Sequence, residues 1–350
     1  MSVARAQRIA TTLLYEGYML YPYRPSAVKN RTRFNFGVLY PDAFARAQAG
    51  SDASSLQTEC VIEGTDDTHV DVHVRFLHLM ARMIGELPAP LVELPAPGDE
   101  SVRWVDRLVV DGQPFQSWQE AVEREVIECD LSLGSLCRSR RVRAFASPAI
   151  RATEPIRDAT GSVVGVIERH QRAIVGDLHV SARQVSHETF VLRARVINRT
   201  PTHPDRARLR DDALLSSLVS AHVILNSAGG AFVSAQAPPD RLSDVVASCD
   251  NVGLWPVLAG ENEARDTVLA SPIIIYDHPE LAPESPGDLF DSTEIDEILS
   301  LRILTLTDDE KREMANADQR ARRLLERTES LDAHDFMRLH GAMRRNSSGF

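Results

Sequence analysis

One stretch limits the fold more than any other. "GSVVGVIERHQRAIVGDLHVSARQVSHETFVLRARVIN" alternates apolar and polar residues across most of its length. A two-residue period puts successive side chains on opposite faces of a strand, so this pattern cannot bury one face of a helix. It predicts three strands, near 162–175, 177–185 and 189–197, joined by short turns as an antiparallel meander within a β-rich region from Arg141 to Thr200. "THVDVHVRFLHLM" repeats the alternation, with Val70, Val72, Val74 and Phe76 on one face and His69, Asp71, His73 and Arg75 on the other. Phe34, Phe36, Val38 and Tyr40 alternate as well and predict a half-buried strand. "VRWVDRLVVDG" predicts a strand ending in an Asp-Gly turn, and "SAHVILNSAGGAFVSA" a hairpin around Gly229 and Gly230. "GLWPVL" and "SPIIIYDH" predict short buried segments.

Helical signals lie mostly at the two ends. Residues 4–20 carry a broad apolar stripe stopped by Pro22 and Pro25, and residues 42–58 predict a short helix followed by a loop. Ser117 with Glu120 forms a capping box that predicts a helix over 118–128, and "RDDALLSSLV" predicts a short helix opened by acids. Thr293, Thr307 with Glu310, and a pattern near 331–344 predict three more. Helices do not alternate with strands, which argues against Rossmann and barrel folds. The expected class is α+β: a mostly antiparallel β sheet or sandwich with an N-terminal helix and a helical C-terminal third. Residues 1–300 are expected to form one large domain, with lobe boundaries near 88–101 and 199–208, and residues 301–345 a helical extension packed on it.

The chain has 350 residues and a formal net charge of -11, which excludes a protein that coats nucleic acid or an anionic membrane. Lysine occurs only at Lys29 and Lys311, so nearly every cation is arginine. Cys60, Cys129, Cys137 and Cys249 are far apart and form no C-x-x-C, against a disulfide framework or zinc ribbon. Glu16 interrupts the apolar start and no small-residue cleavage site follows, so a cytoplasmic chain with free thiols and no membrane insertion is expected. No cofactor is expected, because no G-x-S-x-G, Walker A, G-x-G-x-x-G or H-E-x-x-H pattern occurs.

Several constellations could carry function. Between Asp277 and Glu297 eight acids occur without Lys or Arg, with His278 beside the first. Glu294, Asp296 and Glu297 suit the first turn of a helix, which leaves Asp277, Glu280, Glu284, Asp288 and Asp291 in a loop. That loop reads as a metal site, a docking surface or a solvated turn. Five of the six tyrosines fall between Tyr15 and Tyr40, where Arg24, Lys29, Arg31 and Arg33 face only Glu16. Tyrosine and arginine carry much of the energy of protein interfaces, so Tyr21, Tyr23, Arg24, Lys29 and Arg31 are the candidate partner contact, with Asp277, His278, Glu284 and Asp288 bracing it or meeting a second partner. Internal pairing of those arginines with the acidic loop is the competing reading. His69, Asp71 and His73 are an alternative metal triplet, and Cys249 a lone candidate nucleophile.

The blocks "LLYEGYMLYPYRPSAVKNRTRFNFGVLYP", "WPVLAG", "SPIIIYDHPELAPESPGDLFDSTEIDEILSLRILTLTDDEKREM" and "LHG" at Leu339–Gly341 are similar to an uncharacterised bacterial protein family. That family is associated with gene clusters for NiFe uptake hydrogenases, notably in actinobacteria. The resemblance implies a role near hydrogenase assembly, maturation or support, which suits a non-enzymatic accessory protein with a hydrogenase subunit or maturation factor as its protein partner; no nucleic-acid partner is expected, on the charge. The alternative is a metal-dependent hydrolase using the acidic 277–297 loop.

Overall fold

The structure is a computed structural model and describes residues 2–15, 35–48, 51–94, 101–201, 209–279, 303–317 and 319–330. Its centre is a strand of unusual length, β2 (His69–Leu91, 23 residues). The expected alternation decides how β2 sits. Val70, Val72, Val74 and Phe76 all enter the main core, while His69, Asp71, His73 and Arg75 face away from it. Strand β1 is Ser55–Glu63, and β3 (Arg103–Val105), β4 (Arg107–Val110), β5 (Gln113–Gln116) and β6 (Trp118–Ser132) follow β2. Then come β7 (Arg141–Ser147), β8 (Ile150–Arg157), β9 (Val163–Gln171), β10 (Ile174–Ser186) and β11 (Thr189–Asn198). Strands β12 (Val219–Ala228), β13 (Ala231–Phe232), β14 (Trp255–Leu258) and β15 (Thr267–Ser271) complete the set.

These strands form two facing antiparallel sheets and a small β4–β5 hairpin. The five-stranded sheet runs β13-β1-β11-β10-β7, and the eight-stranded sheet runs β14-β15-β12-β2-β9-β8, with β3 and β6 also on β2. Strand β2 serves four neighbours. On one edge β12 pairs with residues 69–77 and β9 with residues 81–91; on the other, β6 covers residues 69–82 and β3 residues 84–86. The core between the sheets joins Val72, Val74 and Leu225 of the larger sheet to Leu178, Leu192 and Val196 of the smaller one. A mostly antiparallel β architecture with helices is therefore what the chain adopts.

Helix α1 (Ser2–Leu14) lies on the outer face of the larger sheet, where Ala6, Ile9 and Ala10 meet Ile224 and Leu269. Beyond Arg75 the outer face of β2 turns apolar at Leu77 and Leu79, and there α2 (Asp42–Ala47), α6 (Asp308–Ala317) and α7 (Gln319–Glu329) close a second core through Phe44, Met314 and Leu324. The short helices α3 (Leu133–Arg138), α4 (Arg210–Leu214) and α5 (Ser243–Ala247) are connectors. The Thr307–Glu310 capping box forms as expected: the Glu310 N–H donates to the Thr307 hydroxyl, and the Thr307 N–H donates to the Glu310 carboxylate at 2.9 Å. Helices expected after Thr293 and near 331–344 fall outside the described residues, so α6 and α7 are what is seen of a helical C-terminal third. Among the described residues no helix is long and apolar enough to cross a membrane.

Five local expectations are overturned. Residues 118–128 are strand, not helix. The Ser117 hydroxyl donates to the Val105 carbonyl and accepts from the Ile84 N–H, so it caps nothing. A cap is worth about 1 kcal/mol. Cross-strand pairs contribute roughly 0.2–1 kcal/mol each, and they run here from His69↔Ser132 to Arg82↔Trp118. The ladder wins. The segment around Phe36 makes only an isolated bridge at Leu39, because Gly37 turns with φ +53° and packs so tightly that an added Cβ would lie 2.7 Å from Pro272. The expected meander is split: β9 belongs to one sheet and β10 to the other. The Gly229–Gly230 hairpin is split likewise, with β12 and β13 in different sheets. Finally, the apolar run after Ser271 leaves the sheet, and Ile274 and Tyr276 are 70% and 85% exposed.

Phe76 is 1% exposed and stacks on Phe145 of β7 with ring centroids 5.9 Å apart, so it joins the two sheets. Phe76→Ala is expected to lower unfolding free energy by about 3–5 kcal/mol in urea titrations, whereas exposed Val109→Ala changes it by less than about 0.5 kcal/mol.

Candidate functional site

Of the candidate partner residues, Tyr21, Tyr23, Arg24, Lys29 and Arg31, and likewise Glu284 and Asp288, lie outside the described residues. The tyrosines at the ends of the N-terminal cluster are described and buried. Tyr15 donates its hydroxyl to Glu123 at 3.0 Å, and Tyr40 accepts a hydrogen bond from Arg210 at 3.0 Å. Burial pushes the Tyr40 hydroxyl up to about 12 against the opposing pull of Arg210, whose guanidinium also stacks on the ring. These two therefore serve the fold.

Asp277 and His278 are placed together but act as a clasp. Asp277 Oδ1 accepts the Leu258 N–H at 2.8 Å and Oδ2 accepts the Ser234 hydroxyl. The His278 N–H donates to the Leu258 carbonyl at 2.6 Å, with His278 itself at φ +53°. One carboxylate thus fastens the chain leaving β15 to β14 and to the turn at 234–237. A partner would have to compete with these bonds to use Asp277, a physical reason to look elsewhere for the contact.

The β2 triplet projects from one face, as its spacing demanded, yet does not converge. Asp71 accepts the Asp130 N–H at 2.8 Å, His69 lies 3.7 Å from the Asp130 carboxylate, and His73 pairs with Glu125 at 3.1 Å. Arg75 continues the row, donating to the Gln7 carbonyl, the Thr11 hydroxyl and Glu123. Partners on β6 and α1 consume these side chains one by one. Among the described residues no three His, Cys, Asp or Glu side chains are grouped so as to hold a metal ion.

Two thiols and two imidazoles are held in their uncharged forms. All four cysteines are free thiols. Burial pushes Cys60 up to about 12 and Cys249 up to about 11, so neither is a thiolate at neutral pH. Both line a small, mostly apolar recess beside β1, together with Asn251, Val233, Pro256 and Leu258. His78 and His222 are each pushed down to about 4, by burial first. Arg124 adds to the effect at His78 and Arg75 at His222, while backbone hydrogen bonding at Arg172 and Ser220 respectively opposes it.

A different surface stands out. Between Arg138 and Arg157 six arginines face one acid, Glu154. These residues build β7 and β8, the terminal strands of the two sheets. Ser147 opposes Ile174 and Ile150 opposes Gln171, so β7–β8 runs against β9–β10 as one bent ribbon that rims both sheets. Arg141 and Arg143 sit opposite the core residues Val180 and Leu178 and reach across the sandwich mouth to Glu128 of β6, at 2.7 and 3.6 Å. Glu128 is 6% exposed, but the arginines are 53% and 55% exposed. Arg141 holds Glu128 through its Nε. Around on the outer face, burial and then Arg140 lower the His179 imidazole, Asp177 opposes them, and Arg199 and Arg195 lower it further. Sequence reading missed this rim because its arginines are spread along two strands; the local excess of charge was the available signal.

Compared with models of known protein families the chain matches none, and no curated protein matches it.

Neutral buried imidazoles make stability depend on pH. The folded value near 4 lies below the ordinary 6.5, so the unfolded chain takes up protons first as pH falls. The contribution is complete above pH 6.5 and is lost toward pH 4. Denaturant titrations at successive pH values should show wild type losing about 1–3 kcal/mol more than His222→Leu over that interval; parallel curves would mean the ring is not buried neutral.

Proposed function

We propose that this chain is a non-enzymatic accessory protein that holds a protein partner, and that the partner is a hydrogenase subunit or maturation factor, as the resemblance implies. The observation that supports binding most directly is the β7–β8 rim. It is an exposed pair of sheet edges carrying half-exposed arginines on a chain of net charge -11. Sheet edges offer unpaired backbone groups, and arginine supplies directional charge, the two ingredients of strand-mediated recognition. The state of the buried groups supports a non-enzymatic reading as well. Thiols at about 11 and 12 are poor nucleophiles at neutral pH, and imidazoles at about 4 are poor proton carriers there. The N-terminal residues Tyr21, Tyr23, Arg24, Lys29 and Arg31 remain a candidate contact on their chemistry.

Capture from the native host with the full chain as bait tests the proposal. A hydrogenase subunit or maturation factor is expected in near-stoichiometric yield, falling about tenfold or more with Tyr23→Ala/Arg24→Ala at unchanged melting temperature. Equal yield from the double variant removes the N-terminal contact. A bait that retains no stoichiometric protein removes the reading, and a tightly held transition metal in untagged protein turns it toward the hydrolase.

A further inference from the structure

We infer that the free edge of β7 receives an extended acidic segment of a partner protein as an added strand. The inference rests on the partner-binding reading and names the chemistry of what is bound. Strand β7 pairs with β10 on one side and, among the described residues, ends the five-stranded sheet on the other. In an antiparallel edge strand alternate N–H and C=O groups point outward without a ladder partner.

The side chains along that edge select what can pair there. On the mouth side Arg141 and Arg143 present guanidinium groups, both bound to the same carboxylate, Glu128. One buried acid against two cations leaves a positive surplus at the edge. Arg140, one residue before β7, adds positive charge on the other face, beside His179. On the opposite face the edge shows Val142, 45% exposed, and Ala144, which are small and apolar. An incoming strand therefore meets two cations, Arg141 and Arg143, at alternate positions of the first half of β7, and the apolar Val142 and Ala144 between them on the other face. The complementary segment carries acids at the two alternate positions opposite Arg141 and Arg143 and small or β-branched residues between them, because directly opposed pairs on one face set the pairing energy.

The same charges discriminate. A second copy joined antiparallel through β7 in the register centred on Val142 would set Arg141 against Arg143, so like charges oppose that edge-to-edge dimer. A nucleic acid could use the cations but not the backbone groups, and the chain's overall charge of -11 repels it.

The test uses the full chain and a fluorescent peptide of alternating glutamate and valine as long as β7, 7 residues, read by anisotropy. Two further forms are N-methylated on alternate amides, one for each possible register. The glutamate peptide should bind, and the lysine counterpart should not. One of the N-methylated forms should bind about tenfold or more weakly, since it loses the edge hydrogen bonds. Arg141→Gln/Arg143→Gln should weaken binding by about tenfold or more, and the lysine pair should restore part of it. If the glutamine pair fails to fold with Glu128 left unpaired, the N-methylated forms decide the matter on the wild-type chain. Three results would each overturn the inference: glutamate and lysine peptides bind alike or not at all, both N-methylated forms match the parent, or a thymidine oligonucleotide of equal charge binds more tightly than the peptide. Host capture that succeeds while the peptide fails separates loss of this inference from loss of the partner-binding reading.

Discussion

Everything in this molecule is organised around the pairing of β2 on both of its edges. A strand of 23 residues cannot be stable by itself, and here four others satisfy its backbone, two in tandem along each side. The alternation of its side chains then fixes what can lie above and below. The inward row from Val70 to Phe76 demands an apolar sheet opposite, which β1, β10 and β11 provide. The outward row begins as charge and ends as leucine, so α1 packs over a polar ladder while α6 and α7 pack over Leu77 and Leu79. One strand thus sets the position of both sheets and of the helical layers on the outer face.

That dependence explains what could be read from residues alone. The β2 face assignment, β10 and β11, the Thr307–Glu310 cap and the turn at Asp111–Gly112 follow from local pattern, and the structure has them all. Errors arose where pairing was distant. Residues 118–128 carry a helical start signal, but the chain folds them onto β2, some forty residues earlier in sequence, because the completed ladder outweighs the cap. Sheet membership was equally illegible. Nothing local tells that β9 and β10, or β12 and β13, part company at a short bend, since a turn between two strands looks the same whether they pair or separate.

The candidate site was legible in a similarly uneven way. His69, Asp71 and His73 do share a face, which their spacing required. What spacing could not convey is that β6 and α1 supply a partner for each, turning an apparent ligand set into cross-strand pairs. Asp277 looked like the first of a run of free carboxylates and instead fastens the chain to Leu258 and Ser234. Acids at these positions perform structural work that only the folded context reveals. The arginines of β7 differ because their partner Glu128 is too few for them, and that imbalance is a property of two strands brought together by the fold.

The tandem pairing of β2 also has a consequence for how the chain is made. Its partner β12 begins at Val219, roughly 140 residues after the segment it covers. A ribosome adding about 5–20 residues per second leaves that edge of β2 without its neighbour for roughly 7–28 s. During that interval a row of valines and a phenylalanine, bounded by an open strand, is presented to whatever binds nascent chains. Until β12 emerges, that edge of β2 is an open template for pairing with any other extended segment.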